Sequence, residues 1–477
     1  MQLPEELLSS LSKIDGFDKE AFIKVHQSGE QVTSIRSNPS KIANPSLPVL
    51  PQSEQTGDML AGADLKHPDR VPWCRNGYYL HTRPSFTFDP LFHGGCYYVQ
   101  EASSMFLEQA LAQSLDLQQP LKVLDLCAAP GGKSTHLQSL LTPDSLLVSN
   151  ELIKARAGIL KQNIIKWGCG NVVVTTNEPF HFKKLEGFFD AIVVDAPCSG
   201  SGLFRKDERA IVEWSPQNVE LCCGRQQRIL TDILPSLKEG GVLIYSTCSY
   251  AQEENEDIAD WLLSTGEVEN IKLAVEEDWK LVQTRSGRHG AEGYRFYPHR
   301  LRGEGFFLCV FRKLSATKEA VIKPGKPNLL PARDREVVQP WTTAQTPLVF
   351  IKHDPFVFAW PEALVAPLLQ IQMHLYIQYA GTALGAVMHN KLVPDHALAL
   401  STIRSKELRS FPLSFDEAII YLQRGNLDRQ TVVKGWQLVT YANQPLGWIN
   451  ALPNRINNYY PKELRILKRH NDSSFGK

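Results

Sequence analysis

Several features that often reveal a protein's setting are missing from this sequence of 477 residues. Basic and acidic residues are equal in number, 51 of each, so the overall charge indicates neither a polyanionic nor a membrane partner. No run approaches the roughly 18 apolar residues of a membrane-spanning helix. The first twenty residues contain no apolar core of signal-peptide length. We therefore expect a soluble, cytoplasmic protein without a membrane partner.

The cysteines also lack a familiar arrangement. The nine cysteines show none of the paired spacings of a zinc site or of a disulfide framework. An odd number of scattered cysteines is typical of a reducing compartment. We therefore predict no metal site. The apolar fraction of 43% is that of ordinary globular proteins, and the length suggests two to four domains.

Between residues 106 and 313, short apolar runs alternate with helical patterns. The predicted strands are 121–126, 146–149, 171–175, 191–194 and 242–246, and the predicted helices are 133–141, 153–167, 253–263 and one from Pro216 to about residue 240. Ser215 before Pro216 marks a helix start, because serine caps helices and proline suits the first turn. Repeated strand–helix units favour a mostly parallel sheet covered on both faces, here closed by an antiparallel pair at 295–297 and 306–311.

The flanking regions have a different pattern. Residues 1–105 are predicted to form a small α+β domain with a strand at 32–36. Residues 314–345 contain four prolines among scattered charges and are interpreted as a linker to a separate region, 346–477. The last region contains a predicted hairpin, with strands at 437–441 and 447–449.

The end of the chain is basic. Residues 401–477 contain 12 Lys and Arg against 6 Asp and Glu, a net charge of 12 − 6 = +6, and include Trp448, Tyr459 and Tyr460. Basic groups with interleaved aromatic rings suit RNA binding. From charge alone, a solvated basic face is an equally good interpretation.

Each of two predicted strands is followed by a loop that contains a cysteine. Asp195 and Cys198 follow the apolar run 191–194, and Cys248 follows the run 242–245. Because the carboxyl ends of parallel strands form one ligand-binding edge, both thiols and Asp195 are predicted to share one crevice. Such a group suits covalent chemistry on an electrophilic carbon. Two inert core cysteines are the alternative, since cysteine is often buried.

A glycine-rich loop, residues 125–135, joins the first strand of this unit to a helix. Gly131 and Gly132 let a ligand approach the backbone, and the helix start favours an anionic group. Lys133 can pair with a carboxylate or a phosphate. Acidic residues follow the next strands: Glu151, suited to ribose hydroxyls, Glu178, suited to an adenine amine, and Asp195. This pattern predicts an adenosine-containing cofactor with an amino-acid tail.

The same loop admits a different interpretation, a P-loop-like ATPase. Residues 132–134, Gly-Lys-Ser, are similar to the end of a P-loop, and the strand into Asp195 is similar to a magnesium-binding strand. However, Cys127 stands where a P-loop has its first glycine, and Pro130 removes an amide that would bind phosphate. An ATPase also gives no role to the two cysteines.

These segments resemble the family of RNA cytosine-5 methyltransferases that use S-adenosylmethionine. The match covers about residues 97–312 and is carried by 98–105, 128–133, 195–202, 245–249, 255–256 and 304–307. The tail resembles a PUA domain. The resemblance implies an α/β fold with a Rossmann-like class I methyltransferase sheet at 106–313. It also implies an N-terminal RNA-binding domain at 1–105 and a PUA-like, β-rich RNA-binding region within 346–477.

The resemblance also implies roles for individual residues. Cys248 is the nucleophile that adds to C6 of cytosine, and Cys198 assists product release. The chemistry of this addition gives Asp195 a role as well, since its carboxylate suits hydrogen bonds to N3 and the exocyclic amine of the base. The implied cofactor contacts are Cys127, Ala128, Ala129, Pro130, Gly131, Gly132, Lys133, Glu151, Glu178 and Asp195. The family usually has aspartate where Asn177 and Glu178 stand, so the adenine contact is open between these two.

Substrate and partners follow from the resemblance as well. Length and layout suggest 16S rRNA or the small ribosomal subunit as the substrate, with tRNA as an alternative, and a protein that acts as a monomer. A binding protein on a degenerate methyltransferase fold is another interpretation. The intact Cys198, Cys248, Lys133 and Asp195 speak against it.

Overall fold

The structure is a computed structural model that describes residues 3–14, 16–42, 69–317, 325–429 and 433–468. Its α-helices are, in chain order, α1 (Glu5–Leu11), α2 (Lys19–Gln27), α3 (Pro90–His93), α4 (Leu107–Ser114), α5 (Gly132–Leu140), α6 (Lys154–Trp167), α7 (Arg209–Glu213), α8 (Pro216–Ile233), α9 (Glu256–Ser264), α10 (Ala332–Val338), α11 (Val365–His374), α12 (His396–Leu400) and α13 (Phe415–Leu422). None of these described helices is both long and apolar enough to cross a membrane.

The strands are, in chain order, β1 (Thr33–Ser37), β2 (Gly77–Leu80), β3 (Tyr97–Val99), β4 (Lys122–Asp125), β5 (Leu146–Asn150), β6 (Val172–Thr175), β7 (Phe189–Asp195), β8 (Leu237–Thr247), β9 (Val268–Asn270), β10 (Val282–Arg285), β11 (Glu292–Phe296), β12 (Phe306–Lys313), β13 (Leu348–His353), β14 (Phe356–Pro361), β15 (Ile377–Ala380), β16 (Thr382–Met388), β17 (Lys391–Pro394), β18 (Ser410–Pro412), β19 (Gly435–Tyr441), β20 (Gln444–Leu452) and β21 (Arg455–Asn458).

A ten-stranded sheet lies at the centre of the fold. Its order is β10–β11–β12–β8–β7–β4–β5–β6–β15, and β9 pairs with β12. The five strands from β8 to β6 are parallel, whereas β11 and β12 are antiparallel. The parallel strands consist of nearly continuous apolar residues because both sheet faces are covered, and Val123, Ile192 and Ile244 are fully buried. The predicted parallel units are confirmed in these five strands, but the sheet as a whole is mixed, because four of its strand pairs are parallel and five are antiparallel.

Helix α8 ends earlier than the sequence predicted. Its start is as expected, since the Ser215 side chain accepts a hydrogen bond from Asn218 N. It ends at Ile233 rather than near residue 240, because Pro235 cannot continue a helix. Strand β8 begins at Leu237 and runs to Thr247, directly before Cys248.

A buried arginine ties the N-terminal unit to the central sheet. Arg36 lies on β1, the strand predicted at 32–36, and its side chain is fully buried. Its guanidinium donates to Gly132 O at 3.3 Å, to Thr135 Oγ1 at 2.7 Å and to Gln100 Oε1 at 2.8 Å. Burial lowers the pKa of Arg36 to about 10, so the side chain remains charged at neutral pH. The N-terminal unit thus supports the first turn of α5.

Contrary to the prediction, the region after residue 313 is not separate from the central sheet. Residues 318–324 of the predicted linker lie outside the described residues, but Leu330 and Val338 are buried in a core with Phe350. Pro331 immediately precedes α10, so a proline that suggested a flexible linker instead starts a packed helix. Strand β15 pairs antiparallel with β6 and extends the central sheet. The linker prediction for 314–345 is therefore wrong in its second half.

The C-terminal segment forms a four-stranded sheet in the order β18–β19–β20–β21. The predicted hairpin is confirmed as β19 and β20, which are antiparallel. Trp448 and Tyr460 are buried, with 1% and 3% of their surface exposed, whereas Tyr459 is 42% exposed. The expectation that all three aromatic rings are available to RNA is wrong for Trp448 and Tyr460, because both rings pack in the core.

Candidate active site

The loop between β4 and α5 is held in a tight turn at the carboxyl edge of the sheet. Gly131 has φ of 112°, a left-handed conformation that glycine adopts without strain. Two side chains of α6 fix the turn: Arg156 donates to Ala129 O at 3.0 Å, and Asn163 donates to Pro130 O at 2.8 Å. The loop is therefore shaped by its neighbours before any ligand binds.

Asp125 is a site residue to which the sequence analysis assigned no role. It ends β4 fully buried, and Ser134 Oγ donates to its Oδ2 at 2.6 Å. Its Oδ1 has no hydrogen-bond partner among the described residues. Burial raises the pKa of Asp125 to about 7, despite the opposing effects of Ser134 and Lys133. An unpartnered buried acceptor beside the glycine turn fits a ligand that carries a donor, such as the amino group of an amino-acid tail.

The acids at the next strand ends are placed differently from one another. Glu151, after β5, is buried, and its Oε1 accepts a hydrogen bond from Ile153 N at 2.9 Å. After β6, the Asn177 amide both donates to Tyr376 O and accepts from Tyr376 N, each at 3.0 Å. The Asn177 side chain is thus engaged with the segment that leads into β15. Glu178 beside it is exposed, which favours Glu178 for an adenine contact.

Lys133 and Asp195 form an ion pair at the centre of the site. Lys133 Nζ lies 2.7 Å from Asp195 Oδ2, and Ser246 Oγ donates to Asp195 Oδ1 at 2.8 Å. Burial lowers the pKa of Lys133, but the neighbouring Asp195 and Asp125 outweigh burial and raise it overall. Lys133 therefore keeps its positive charge, and the Asp195 carboxylate is held from both sides.

The two predicted cysteines meet in the structure. Cys198 Sγ and Cys248 Sγ lie 3.1 Å apart, because they follow neighbouring parallel strands in which Asp195 pairs with Ser246. Both are partly exposed free thiols, unlike inert core cysteines. The hydrogen bond to Cys248, together with burial, raises the pKa of Cys198 well above its usual value. Either sulfur can donate in this contact, and the raised pKa favours the protonated thiol at Cys198.

One cleft of about 420 Å³ joins most of these groups, a size in the range of small-molecule sites. The predicted residues that line it are Cys127, Ala128, Ala129, Pro130, Gly132, Lys133, Asp195 and Cys248. Tyr98–Glu101, Ser104, Leu203 and Glu304–Phe306 also line it and were not predicted as site residues. Gly131, Glu151, Glu178 and Cys198 lie outside its lining, although both glutamates follow the adjoining strands of the same edge.

Substitution of Gly202 should disturb the Cys248 loop. Gly202 N donates to Cys248 O at 2.8 Å, and a Cβ at residue 202 would lie only 2.4 Å from Gly305 O. Because backbone lies on both sides, we expect Gly202→Ala to destabilise the protein by about 1–3 kcal/mol. Thermal unfolding measures the effect. Gly224→Ala, at a helical position with open space, is the control and should leave stability unchanged or slightly higher; equal melting temperatures for the two variants would contradict this account.

A separate cluster contains potential metal ligands. Cys74, Glu108 and His136 bring ligand atoms within 4.8 Å of one another. His136 Nε2 lies 3.1 Å from Glu108 Oε2 and 3.7 Å from Cys74 Sγ. Burial and the nearby Arg36 lower the pKa of His136 to about 4, so its ring is neutral and donates to Glu108. These contacts are those of a hydrogen-bonded cluster, and the lack of a metal site stays a prediction.

Sequence profiles of known families match three parts of the chain. The profile described as 16S rRNA methyltransferase RsmB/F matches residues 112–312. The N-terminal domain of 16S rRNA methyltransferase RsmF matches residues 3–102, and the methyltransferase RsmF PUA domain matches residues 408–466.

Curated relatives cover most of the chain. Ribosomal RNA small subunit methyltransferase F of Escherichia coli (strain K12) is 30% identical over 416 residues, which are 83% of this chain and 84% of the relative. The protein of the same name from Shewanella piezotolerans is 29% identical and covers 83% of this chain and 85% of its own length.

Solved structures share the fold. A methyltransferase homologue from Pyrococcus horikoshii is 28% identical, with a TM-score of 0.50, and covers 65% of this chain and all of its own. The crystal structure of NSun6 from Pyrococcus horikoshii with SFG has the same TM-score at 20% identity, with 65% and 98% of the two chains covered. The predicted Rossmann-like methyltransferase fold is confirmed.

Proposed function

This chain belongs to the family of 16S rRNA methyltransferases RsmB/F, and on that basis we propose that it methylates C5 of a cytosine in 16S rRNA of the small ribosomal subunit. The observation that carries the cytosine-5 assignment is the pair of thiols 3.1 Å apart at neighbouring strand ends. Attack by a thiolate is the chemistry that an unreactive ring carbon requires.

The reaction begins at Cys248. Its thiolate adds to C6 of the cytosine, which must first be flipped out of its stack to reach the cleft. The new S–C6 bond places electron density at C5, which then behaves as an enamine carbon able to attack a methyl group. Asp195 accepts a hydrogen bond from the exocyclic amine. The ammonium of Lys133, 2.7 Å from Asp195, offsets the negative charge that develops on the ring.

Release requires Cys198. After methylation a base removes the C5 proton, the C5–C6 double bond re-forms, and the electron pair of the S–C6 bond returns to Cys248. The Cys198 thiol donates to that sulfur and so stabilises the departing thiolate. Without this donor, the elimination step should slow more than the addition step.

The residues around the glycine turn fit S-adenosylmethionine, which supplies an electrophilic methyl group when bound. The buried acceptor Asp125 Oδ1 suits the amino group of the methionine part, and Lys133 with the 127–133 loop suits its carboxylate. Glu151 suits the ribose hydroxyls, and the exposed Glu178 suits the adenine amine. A P-loop-like ATPase remains the rival, but it gives no role to the two thiols 3.1 Å apart.

Cofactor binding tests this assignment. Calorimetry should show binding of S-adenosylhomocysteine and none of ATP with magnesium. Glu151→Gln removes a charge-assisted contact and should weaken S-adenosylhomocysteine binding by roughly 10- to 100-fold. Glu220→Gln, an exposed change on α8, is the control and should bind like the unmodified protein. Tight ATP binding that disappears in Lys133→Ala would instead support the ATPase.

RNA binding, oligomeric state and location are assigned on the same basis. We propose that the N-terminal unit and the PUA-like segment bind the RNA, and that the protein acts as a monomer in the cytoplasm. Transfer RNA is the alternative substrate. Sedimentation velocity measures the oligomeric state, and comparison of ribosomal with transfer RNA as methyl acceptors separates the two substrates.

A further inference from the structure

Glu254 is a buried carboxylate that contacts the residue after each active-site cysteine. Its side chain is completely shielded from solvent. Ser199 N donates to Oε1 at 2.8 Å, and the hydroxyls of Ser199 and Ser249 each donate to Oε2 at 2.5 Å. Ser199 follows Cys198 and Ser249 follows Cys248, so one side chain joins the two loops that carry the thiols.

Two further side chains, those of Gln226 and Asn255, also contact the loops that carry the two cysteines. Gln226 on α8 donates to Glu254 Oε1 and to Pro197 O, both at 3.1 Å. Asn255 accepts a hydrogen bond from Thr247 Oγ1 at 2.6 Å and donates to Ser249 O at 2.9 Å. The hydrogen bonds to the Glu254 side chain from Ser199, Gln226 and Ser249 all come from donors, and an ionised carboxylate is a pure acceptor. The arrangement therefore suits a negative charge at residue 254.

Charges on opposite sides polarise the pair of thiols. The titratable groups that face the pair from the surrounding elements are Glu254 before α9, Lys133 on α5, Asp195 on β7, Tyr245 on β8 and Cys222 on α8. The pKa of Cys198 is raised by its hydrogen bond with Cys248, by burial, and by the negative charges of Cys248 and Glu254. The cation Lys133 instead interacts with Cys248. Negative charge is therefore disfavoured on Cys198, the thiol whose loop Glu254 contacts through Ser199.

We propose that Glu254 is a positioning residue that holds both cysteine loops at their 3.1 Å spacing and keeps the shared proton on Cys198. Cys248 is then the sulfur that attacks and Cys198 the one that donates. The inference rests on the proposed function for the roles of the two thiols, but the proton distribution can be measured without RNA. A residue that only stabilised the fold would not change which thiol ionises first.

The test compares Glu254→Gln, which keeps the side-chain size but removes the charge, with the unmodified protein. Iodoacetamide alkylation of each cysteine is followed by peptide mass spectrometry across a pH series. The alkylation midpoint of Cys198 should fall by about one pH unit or more, because a nearby like charge is lost. The methylation rate constant should fall roughly 10- to 100-fold, as for a lost positioning contact, with the KM for RNA unchanged. Glu253→Gln, an exposed neighbour, is the matched control and should change neither quantity.

Specific outcomes overturn the proposal. If Glu254→Gln melts like the unmodified protein and both alkylation midpoints stay in place, Glu254 does not control the proton. If Glu254→Gln does not fold, Glu254→Asp decides: the charge remains but is withdrawn by one methylene. Glu254→Asp should slow methylation at least tenfold, and it should shift the alkylation midpoint of Cys198 by less than the one pH unit expected for loss of the charge. If Glu254→Asp methylates RNA at the unmodified rate, the positioning role is refuted. Failure of the proposed function is distinguishable, because the unmodified protein would then make no 5-methylcytosine.

Discussion

Replacing Cys248 with alanine is expected to abolish methyl transfer and to leave no covalent protein–RNA adduct. The reason is that Cys248 is the proposed nucleophile, and its sulfur lies 3.1 Å from that of Cys198 at the end of the neighbouring parallel strand. Without a thiolate at C6, C5 has no enamine character and cannot attack the methyl donor. Cys198→Ala should have a different effect, since the addition step remains while the leaving thiolate loses its donor. A stable adduct should then accumulate on denaturing gels.

Cys223→Ala is the matched control for both variants, because Cys223 is also a partly exposed free thiol but lies on α8. It should methylate RNA at the unmodified rate and give no lasting adduct. If the adduct accumulates in Cys248→Ala instead of Cys198→Ala, the roles of the two cysteines are reversed. If it forms in neither variant, covalent catalysis through this pair is wrong.

Charge reversal in the PUA-like segment should produce the largest loss of RNA binding. Arg424 and Tyr459 line one surface concavity with strand β21, where Arg455 is also exposed. Arg424→Glu with Arg455→Glu should weaken RNA binding roughly tenfold or more and lower the salt slope by about 0.7 for each lost phosphate contact. S-adenosylhomocysteine binding should not change. RNA affinity across a salt series is the measurement.

The control for this experiment carries the same change in charge on α10. Arg333→Glu with Arg335→Glu alters two exposed arginines outside the segment 408–466 and should leave the salt slope close to that of the unmodified protein. An equal slope in both double variants would support a merely solvated basic face. Truncation before the C-terminal region is a poorer test, because it removes β15 from the central sheet and Tyr376 from Asn177.

The central part of the fold was predictable because its strands are short, apolar and buried on both faces. The runs ending at Asp195 and before Cys248 are parallel neighbours, which brought the two thiols together as expected. The pairing of β15 with β6 was not predictable, since residues 377–380 form a short mixed pattern about 200 positions away from its partner. A local pattern does not specify a distant strand partner.

The parts of the site that the sequence did not reveal depend on side-chain orientation. Asn177 and Glu178 are adjacent acceptors, and only the structure shows that the Asn177 amide is engaged with Tyr376. Glu254 stands in a run of acidic residues that resembles a solvated helix start, although its side chain is fully buried. Trp448 lies in a basic segment, and neither its neighbours nor its type shows that its ring is buried.

The most direct test of the central claim is a map of 5-methylcytosine in 16S rRNA and transfer RNA from cells with and without this protein. Cells that lack the protein should lose methylation at a cytosine of 16S rRNA. The unmodified protein should restore it and Cys248→Ala should not. An unchanged 16S rRNA map, or a change confined to transfer RNA, would contradict the proposed substrate, and restoration by Cys248→Ala would contradict the proposed chemistry.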